Sequence, residues 1–128
     1  MSYIHNDGGR SRYFKGTAGD CAARAMAIAT GIDYKDCYDE LARAHAARTG
    51  KRTARNGIYK DDFSLVLKRH GWTWNSAPKL TGRKARASDL TGTVIARMAK
   101  HYAAVIDGQV HDIFNSSHKM VYGYWSKA

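Results

Sequence analysis

At 128 residues the chain has room for one ordinary domain, 1–128, which excludes a second catalytic domain, a receptor architecture or a long repeat array. Hydrophobic residues make up 44% and charged residues 25%, a globular balance that argues against disorder or a collagen-like fibre. The charge is less ordinary: 21 Lys and Arg against 11 Asp and Glu leave +10, which favours an acidic partner such as nucleic acid, anionic lipid or an acidic protein.

The first residues, MSYIHNDGGRSRYFKGTAG, mix Gly, Ser, Asn and Asp without periodicity and read as a lead-in loop over 1–19. Residues 1–10 lack the apolar core of a secretory signal, and no run approaches the roughly 18 apolar residues of a membrane span. The expectation is a soluble, cytoplasmic protein with no membrane partner.

Order is expected from Cys21. Ala22, Ala25, Met26 and Ala29 fall at i, i+3, i+4 and i+7, with Asp20 available as N-cap and Gly31 as a stop, which predicts a helix with Cys21 at its N-terminal end. A second helix is predicted over 33–48, because Tyr34, Cys37, Tyr38, Leu41 and His45 form one seam and Gly50 ends it. Cys37 therefore points at the core. A third helix, over 58–70, carries Tyr59, Phe63, Val66 and Leu67 on one face and closes at Gly71.

A loop with the only proline, Pro78, and a short turn at Ser88, Asp89 and Leu90 follow. The pattern then changes to strands over Thr93–Met98, His101–Ile106, 109–114 and 120–125, read as an antiparallel β-meander. Asp107-Gly108 between two such runs is a two-residue hairpin signal of the type I′ kind. The fold class is thus α+β, N-terminal helices packed on a C-terminal sheet of about four strands.

Two cysteines are too few for a disulfide scaffold, and no C-x-x-C pair is present. Cys21 is the candidate nucleophile, because the positive end of a helix macrodipole favours the thiolate. Adjacent Asp20 opposes this, since a nearby negative charge disfavours a second one. The alternative is a small apolar residue packed at a helix start.

The base must come from the histidines, and the hairpin sorts them. With Asp107-Gly108 as the turn, Ile106 pairs with Gln109, Val105 with Val110, Ala103 with Asp112 and His101 with Phe114. His101, Val105, Val110 and Asp112 then share one face, and His111 lies on the other. His101 and Asp112 become diagonal neighbours within reach of a side-chain hydrogen bond. A Cys at a helix start, a His at a strand start and an Asp on the adjoining strand form the arrangement in which a carboxylate orients an imidazole that takes a thiol proton. The bland reading is a polar pair at a sheet end.

The runs Gly19-Asp20-Cys21-Ala22-Ala23-Arg24-Ala25, Lys100-His101-Tyr102-Ala103-Ala104-Val105-Ile106-Asp107-Gly108 and Val110-His111-Asp112 resemble the papain-like cysteine peptidase superfamily, particularly its small bacterial and phage-type members. The Cys helix is similar, more weakly, to that of the ovarian-tumour-type deubiquitinases. The resemblance implies a papain-like fold from about Gly19 to Trp125, with Cys21 as nucleophile, His101 as general base and Asp112 as the orienting third residue. It implies a hydrolase that cleaves a peptide or isopeptide bond in a protein or peptide substrate without a cofactor. The sequence departs from the family at Lys15, where papain-like enzymes often carry a Gln that donates to the oxyanion. The Cys21 N–H could supply one donor, and Asn6, Lys15 or Thr17 the other.

Other chemistries lack their motifs. Lys15-Gly16-Thr17 is in the wrong order for a phosphate loop, and His45, His70, His101, His111 and His118 are spread without metal spacing. Arg48, Lys51, Arg52 and Arg55, then Lys79, Arg83, Lys84 and Arg86, form two acid-free stretches in loops. They read as a solvated face, as phosphate-backbone contacts, or as a rim that captures an acidic protein substrate. Trp72, Trp74, Tyr122, Tyr124 and Trp125 could stack on bases, although such residues in strands are more often core. The second reading of function is therefore a non-enzymatic basic binding protein for nucleic acid or an acidic protein, on a degenerate peptidase fold.

Overall fold

The computed structural model describes residues 3–127. Three helices, α1 (Cys21–Thr30), α2 (Tyr34–Thr49) and α3 (Lys60–Arg69), follow a short strand β1 (Tyr3–His5) and a single 3-10 turn at Arg10–Arg12. Five strands complete the chain: β2 (Trp72–Ser76), β3 (Thr93–Met98), β4 (His101–Ile106), β5 (Gln109–Asp112) and β6 (Gly123–Lys127). The fold is mixed α+β.

The helices start and stop for local reasons. Gly31 and Gly50 cap α1 and α2 at φ 77° and 80°, the left-handed conformation that ends a helix without a Cβ penalty. Asp33 caps α2 by accepting the Lys35 N–H. Asp20 stands at the N-cap of α1, but its side chain makes no capping bond there; it is turned inward, with consequences for the site.

The sheet departs from the expected meander in three ways. It has six strands in the order β1-β5-β4-β3-β6-β2. The stretch read as a lead-in loop supplies β1, which pairs in parallel with β5 through Tyr3, Ile4 and His5. With that edge taken, β6 does not continue from β5 but lies antiparallel to β3, Trp125 opposite Ile95. This delivers Trp125 to the helix side, where its ring meets Phe63 and Tyr102 at 5.1 and 5.6 Å. Each such buried ring contributes about 2–3 kcal/mol by area. The third departure is β2, which falls in the predicted loop and pairs with β6, Trp74 opposite Trp125.

Strand ends shift as well. The strand predicted over 120–125 starts at Gly123, because the N–H groups of Val121 and Tyr122 are bonded to Ala85 and Arg97 instead. Gly123 is required there: a Cβ would lie 2.2 Å from the Trp74 ring. The strand predicted over 109–114 ends at Asp112. Between β4 and β5, Asp107 and Gly108 both have positive φ, 50° and 82°, as a type I′ turn requires. The register is the one read from the sequence, with Ile106 opposite Gln109, Val105 opposite Val110 and Ala104 opposite His111.

The sheet is covered on both faces. Ile95, Tyr102 and Trp125 join the apolar faces of the three helices in one cluster, within which Phe63, Val66, Leu41 and Met26 are fully buried. Val94, Ala96, Met98, Val105 and Val110 face the other way, under Ala85, Ala87, Leu90 and Val121. No helix among the described residues is long and apolar enough to cross a membrane.

Candidate active site

Three elements end at one place: α1 begins there with Cys21, β4 begins with His101, and β5 finishes with Asp112. The β3–β4 connection is two residues, Ala99 and Lys100, with Lys100 held at φ 52°. This tight turn delivers His101 to the end of the sheet beside the first turn of α1. Alternation sends Tyr102 to the helix side and groups His101 with Ala103 and Val105 on the opposite face. The Cys21–His101 meeting therefore takes place around the end of the sheet.

His101 Nε2 is 2.5 Å from Asp112 Oδ2, and both side chains are buried. The Asp112 carboxylate also accepts from Arg24 Nη1 at 2.8 Å, the Ile113 N–H at 2.7 Å and Ser116 Oγ at 3.0 Å. Burial alone would raise its pKa, but these donors, His101 foremost, lower it. An ionised Asp112 fixes the proton on His101 Nε2 and leaves Nδ1 as the nitrogen available to Cys21. Burial also opposes the imidazolium, but interactions with Asp112 and Cys21 outweigh it and push the His101 pKa up to about 9. Phe114 packs against the imidazole at a tilt, with ring centres 4.9 Å apart, beyond the end of β5.

Asp20 is not the isolated charge that its sequence position suggests. Its carboxylate is bound to Arg10 Nη1 at 2.9 Å, to Arg24 Nε at 3.0 Å and to the Tyr34 hydroxyl. Burial raises its pKa, and these three partners more than reverse that. The result is a buried row of alternating charge, Arg10, Asp20, Arg24, Asp112 and His101, ending at Cys21. Sequence reasoning missed Arg24, although one signal was present. A lone guanidinium in the apolar helix CAARAMAIAT, three residues after Cys21, has to be paired if the helix is buried.

Cys37 lies elsewhere, fully buried on α2. Burial, and then the nearby carboxylates of Glu40, Asp36 and Asp33, push its thiol up to about 12. His111 faces away from the site, and its Nδ1 has no hydrogen-bond partner among the described residues. Among those residues no three His, Cys, Asp or Glu side chains come together to hold a metal ion.

Two clefts meet at the Cys21–His101 pair, and Gly57 and Lys100 border both. The larger, about 570 Å³, is walled by Ile58, Arg97, Met98, Tyr102 and Tyr122. The smaller, about 380 Å³, is walled by Thr17, Gly19, Ile113, Phe114 and Lys119. The Cys21 N–H is in the first turn of α1, where helical N–H groups have no intrahelical acceptor. Of the other donors considered for an oxyanion, Thr17 borders the cleft and Lys15 does not. Asn6 borders neither cleft; it lies beside β1, its Oδ1 accepting the Gly8 N–H and its backbone N–H bonded to the Asp112 carbonyl.

The basic stretches are not acid-free in space. Arg48 grips Asp62 with two bonds, at 2.7 and 3.1 Å, and Arg83 grips Asp89 at 2.7 and 2.8 Å. Of the aromatics considered for base stacking, Trp72 and Trp125 are core, and Lys60 sits over Trp74 at 4.3 Å. Tyr122 is exposed and belongs to the cleft. Comparison with protein-family models, with curated proteins and with solved structures finds no match to this chain.

Proposed function

We propose that the protein is a thiol-dependent hydrolase of the papain-like kind that cleaves a peptide or isopeptide bond. The observation that carries this reading is the buried 2.5 Å contact between His101 and Asp112 at the same sheet end as the first residue of α1, Cys21. A polar pair that merely closed a sheet end would not need a carboxylate with four donors, nor an imidazole whose free nitrogen is left to a thiol.

In the reaction, His101 takes the proton of Cys21 and the sulfur attacks the substrate carbonyl carbon. The resulting oxyanion receives the Cys21 N–H and a second donor from the Thr17 side of the cleft. Collapse breaks the C–N bond, and His101 returns its proton to the departing amine. A water molecule, deprotonated by His101, then attacks the thioester, releasing the carboxylic acid and the Cys21 thiol. Asp112 holds the imidazole in one tautomer throughout, and Arg24 positions Asp112.

The test is to incubate a proteome-derived peptide mixture with the protein and with its Cys21→Ala variant, and to identify new termini by mass spectrometry. Cleavages confined to the native protein support the reading. It fails if there are none and Cys21 reacts with iodoacetamide no faster than free cysteine.

A further inference from the structure

The walls of the two clefts carry three cations besides the buried Arg24: Arg97 in the larger, Lys119 in the smaller, and Lys100 in both. Among the described residues no Asp or Glu lines either cleft. Arg97 lies over the Tyr122 ring at 5.6 Å, and Lys119 Nζ is 3.4 Å from the Ala99 carbonyl. Neither forms an ion pair among the described residues. Lys100 is exposed, carried outward on a turn whose positive φ costs a non-glycine residue about 1 kcal/mol or more. Arg24, the fourth cation, is already shared between Asp20 and Asp112.

Other cations with no ion pair among the described residues, such as Lys51, Arg52 and Arg55, are exposed in outer loops, while Lys79 and Lys84 border a separate cleft that contains neither Cys21 nor His101. Arg97, Lys100 and Lys119 differ because they border concave walls that also contain Ile58, Met98, Tyr102 and Phe114. Apolar walls focus the field of such charges into the space between them. A chain lying along both clefts would pass Arg97 on one side of Cys21, Lys119 on the other and Lys100 at the junction.

Building on the reading of Cys21 as nucleophile, we propose that the substrate is an acidic peptide segment, with Asp or Glu side chains on both sides of the bond that is cut. Carboxylates flanking the bond meet, in each cleft, cations that have no ion pair among the described residues, while Lys or Arg there would meet repulsion. Apolar and aromatic walls suit the peptide stem between those side chains.

The first experiment compares iodoacetate with iodoacetamide at Cys21, each scaled to its rate with free cysteine and read by mass spectrometry at low salt. The anionic reagent is expected to be favoured at least about tenfold. The preference should shrink with added salt and fall toward the free-cysteine ratio in the Arg97→Gln, Lys100→Gln, Lys119→Gln triple variant. A scaled ratio at or below one overturns the proposal. Poly-L-glutamate should slow the labelling of Cys21 and poly-L-lysine should not. An oligo-dT strand that protects Cys21 while poly-L-glutamate does not would assign the cations to phosphate and overturn it too. The cleavage windows found in the peptide mixture should be enriched in Asp and Glu on both sides, and windows enriched in Lys or Arg would contradict it. Failure here is distinct from failure of the hydrolase reading. Fast, His101-dependent alkylation without an anion preference removes the substrate class alone, whereas slow alkylation that His101→Ala does not change removes the nucleophile.

Discussion

The two cysteines form a natural comparison, because burial does not separate them. Both are free and buried, Cys21 at 7% exposure and Cys37 at 0%. Around Cys37 the first effect is loss of solvent and the next are carboxylates, and both disfavour a thiolate. Beside Cys21 stands the His101 imidazole, whose pKa is pushed up to about 9, and the carboxylate adjacent in sequence, Asp20, is bound by two guanidinium groups. The lesson is that a buried thiol becomes a candidate nucleophile through the sign of the charge it faces.

The largest effects should come from removing that charge. At pH 7 a thiol with a pKa near 12 is ionised in only about one molecule in 10⁵, so Cys37 should label in the native protein about 10³-fold more slowly than a free cysteine. Site-resolved alkylation checks this, and native labelling of Cys37 in preference to Cys21 would break the comparison. If peptide cleavage is found, His101→Ala should lower kcat by about 10⁶-fold and Asp112→Asn by about 10⁴-fold, as in enzymes whose triad acts as a unit. The asparagine variant should remain folded, since an amide oxygen in the place of Oδ1 still accepts from Arg24 and the Ile113 N–H.

Arg24 tests whether the charge row behind the site matters to Cys21. Arg24→Met leaves Asp20 and Asp112 with fewer buried donors and should cost about 3–5 kcal/mol of stability in chemical denaturation. Arg24→Lys, which keeps one charge but cannot reach both carboxylates with the same fork, should fold and separate positioning from stability. Its expected signature is a kcat reduced about tenfold with little change in KM, and an altered pH profile. An unchanged kcat and pH profile in the lysine variant would make Arg24 purely structural.

Parts of this comparison were legible in the sequence and parts were not, for physical reasons. The β4–β5 register follows from two residues, Asp107 and Gly108, because a type I′ turn fixes every pair above it. That was enough to bring His101, Asp112 and Phe114 together and turn His111 away. Helix ends marked by Gly31 and Gly50 were equally local. What the chain could not show locally was long-range: three residues of β1 carry no period, and β2 was hidden between Gly71 and Pro78, although the Trp72-x-Trp74 alternation was its signal. The placement of β6 beside β3 depends on β1 taking the far edge, so missing one strand misplaced another. Asp20 was read from its neighbour in sequence, whereas its charge is set by Arg10 and Arg24.

Smaller effects concern pH. The folded pKa of His101 is raised from an ordinary value near 6.5 to about 9. Its stabilising contribution is therefore fully present below about pH 6.5 and is lost as pH rises through about 9. Asp20 and Asp112 have lowered values, so theirs is present above the ordinary carboxylate range and is lost as pH falls below it. Denaturation at pH 6 and pH 9.5 should show the native protein losing on the order of 2 kcal/mol, the worth of a hydrogen bond to a charged group. His101→Gln should flatten that loss and also reduce the loss on the acid side, because His101 is the foremost group lowering the Asp112 pKa. An equal alkaline loss in the variant would assign it to other groups.

The smallest effect is expected at His111, and it makes the sharpest control, because His111 is the immediate neighbour of Asp112 and differs only in the face it occupies. It stands opposite Ala104 on β4 and Ile4 on β1, with a buried Nδ1 that finds no partner among the described residues. His111→Gln removes an unsatisfied nitrogen and should change stability by less than about 1 kcal/mol. It should leave Cys21 alkylation and any turnover per folded molecule within about twofold. A one-residue slip in the Asp107-Gly108 turn would exchange the faces and reverse the result, with His111→Gln inactive and Asp112→Asn silent. Measuring the two neighbours side by side therefore tests the hairpin register and the assignment of the base's partner in one experiment.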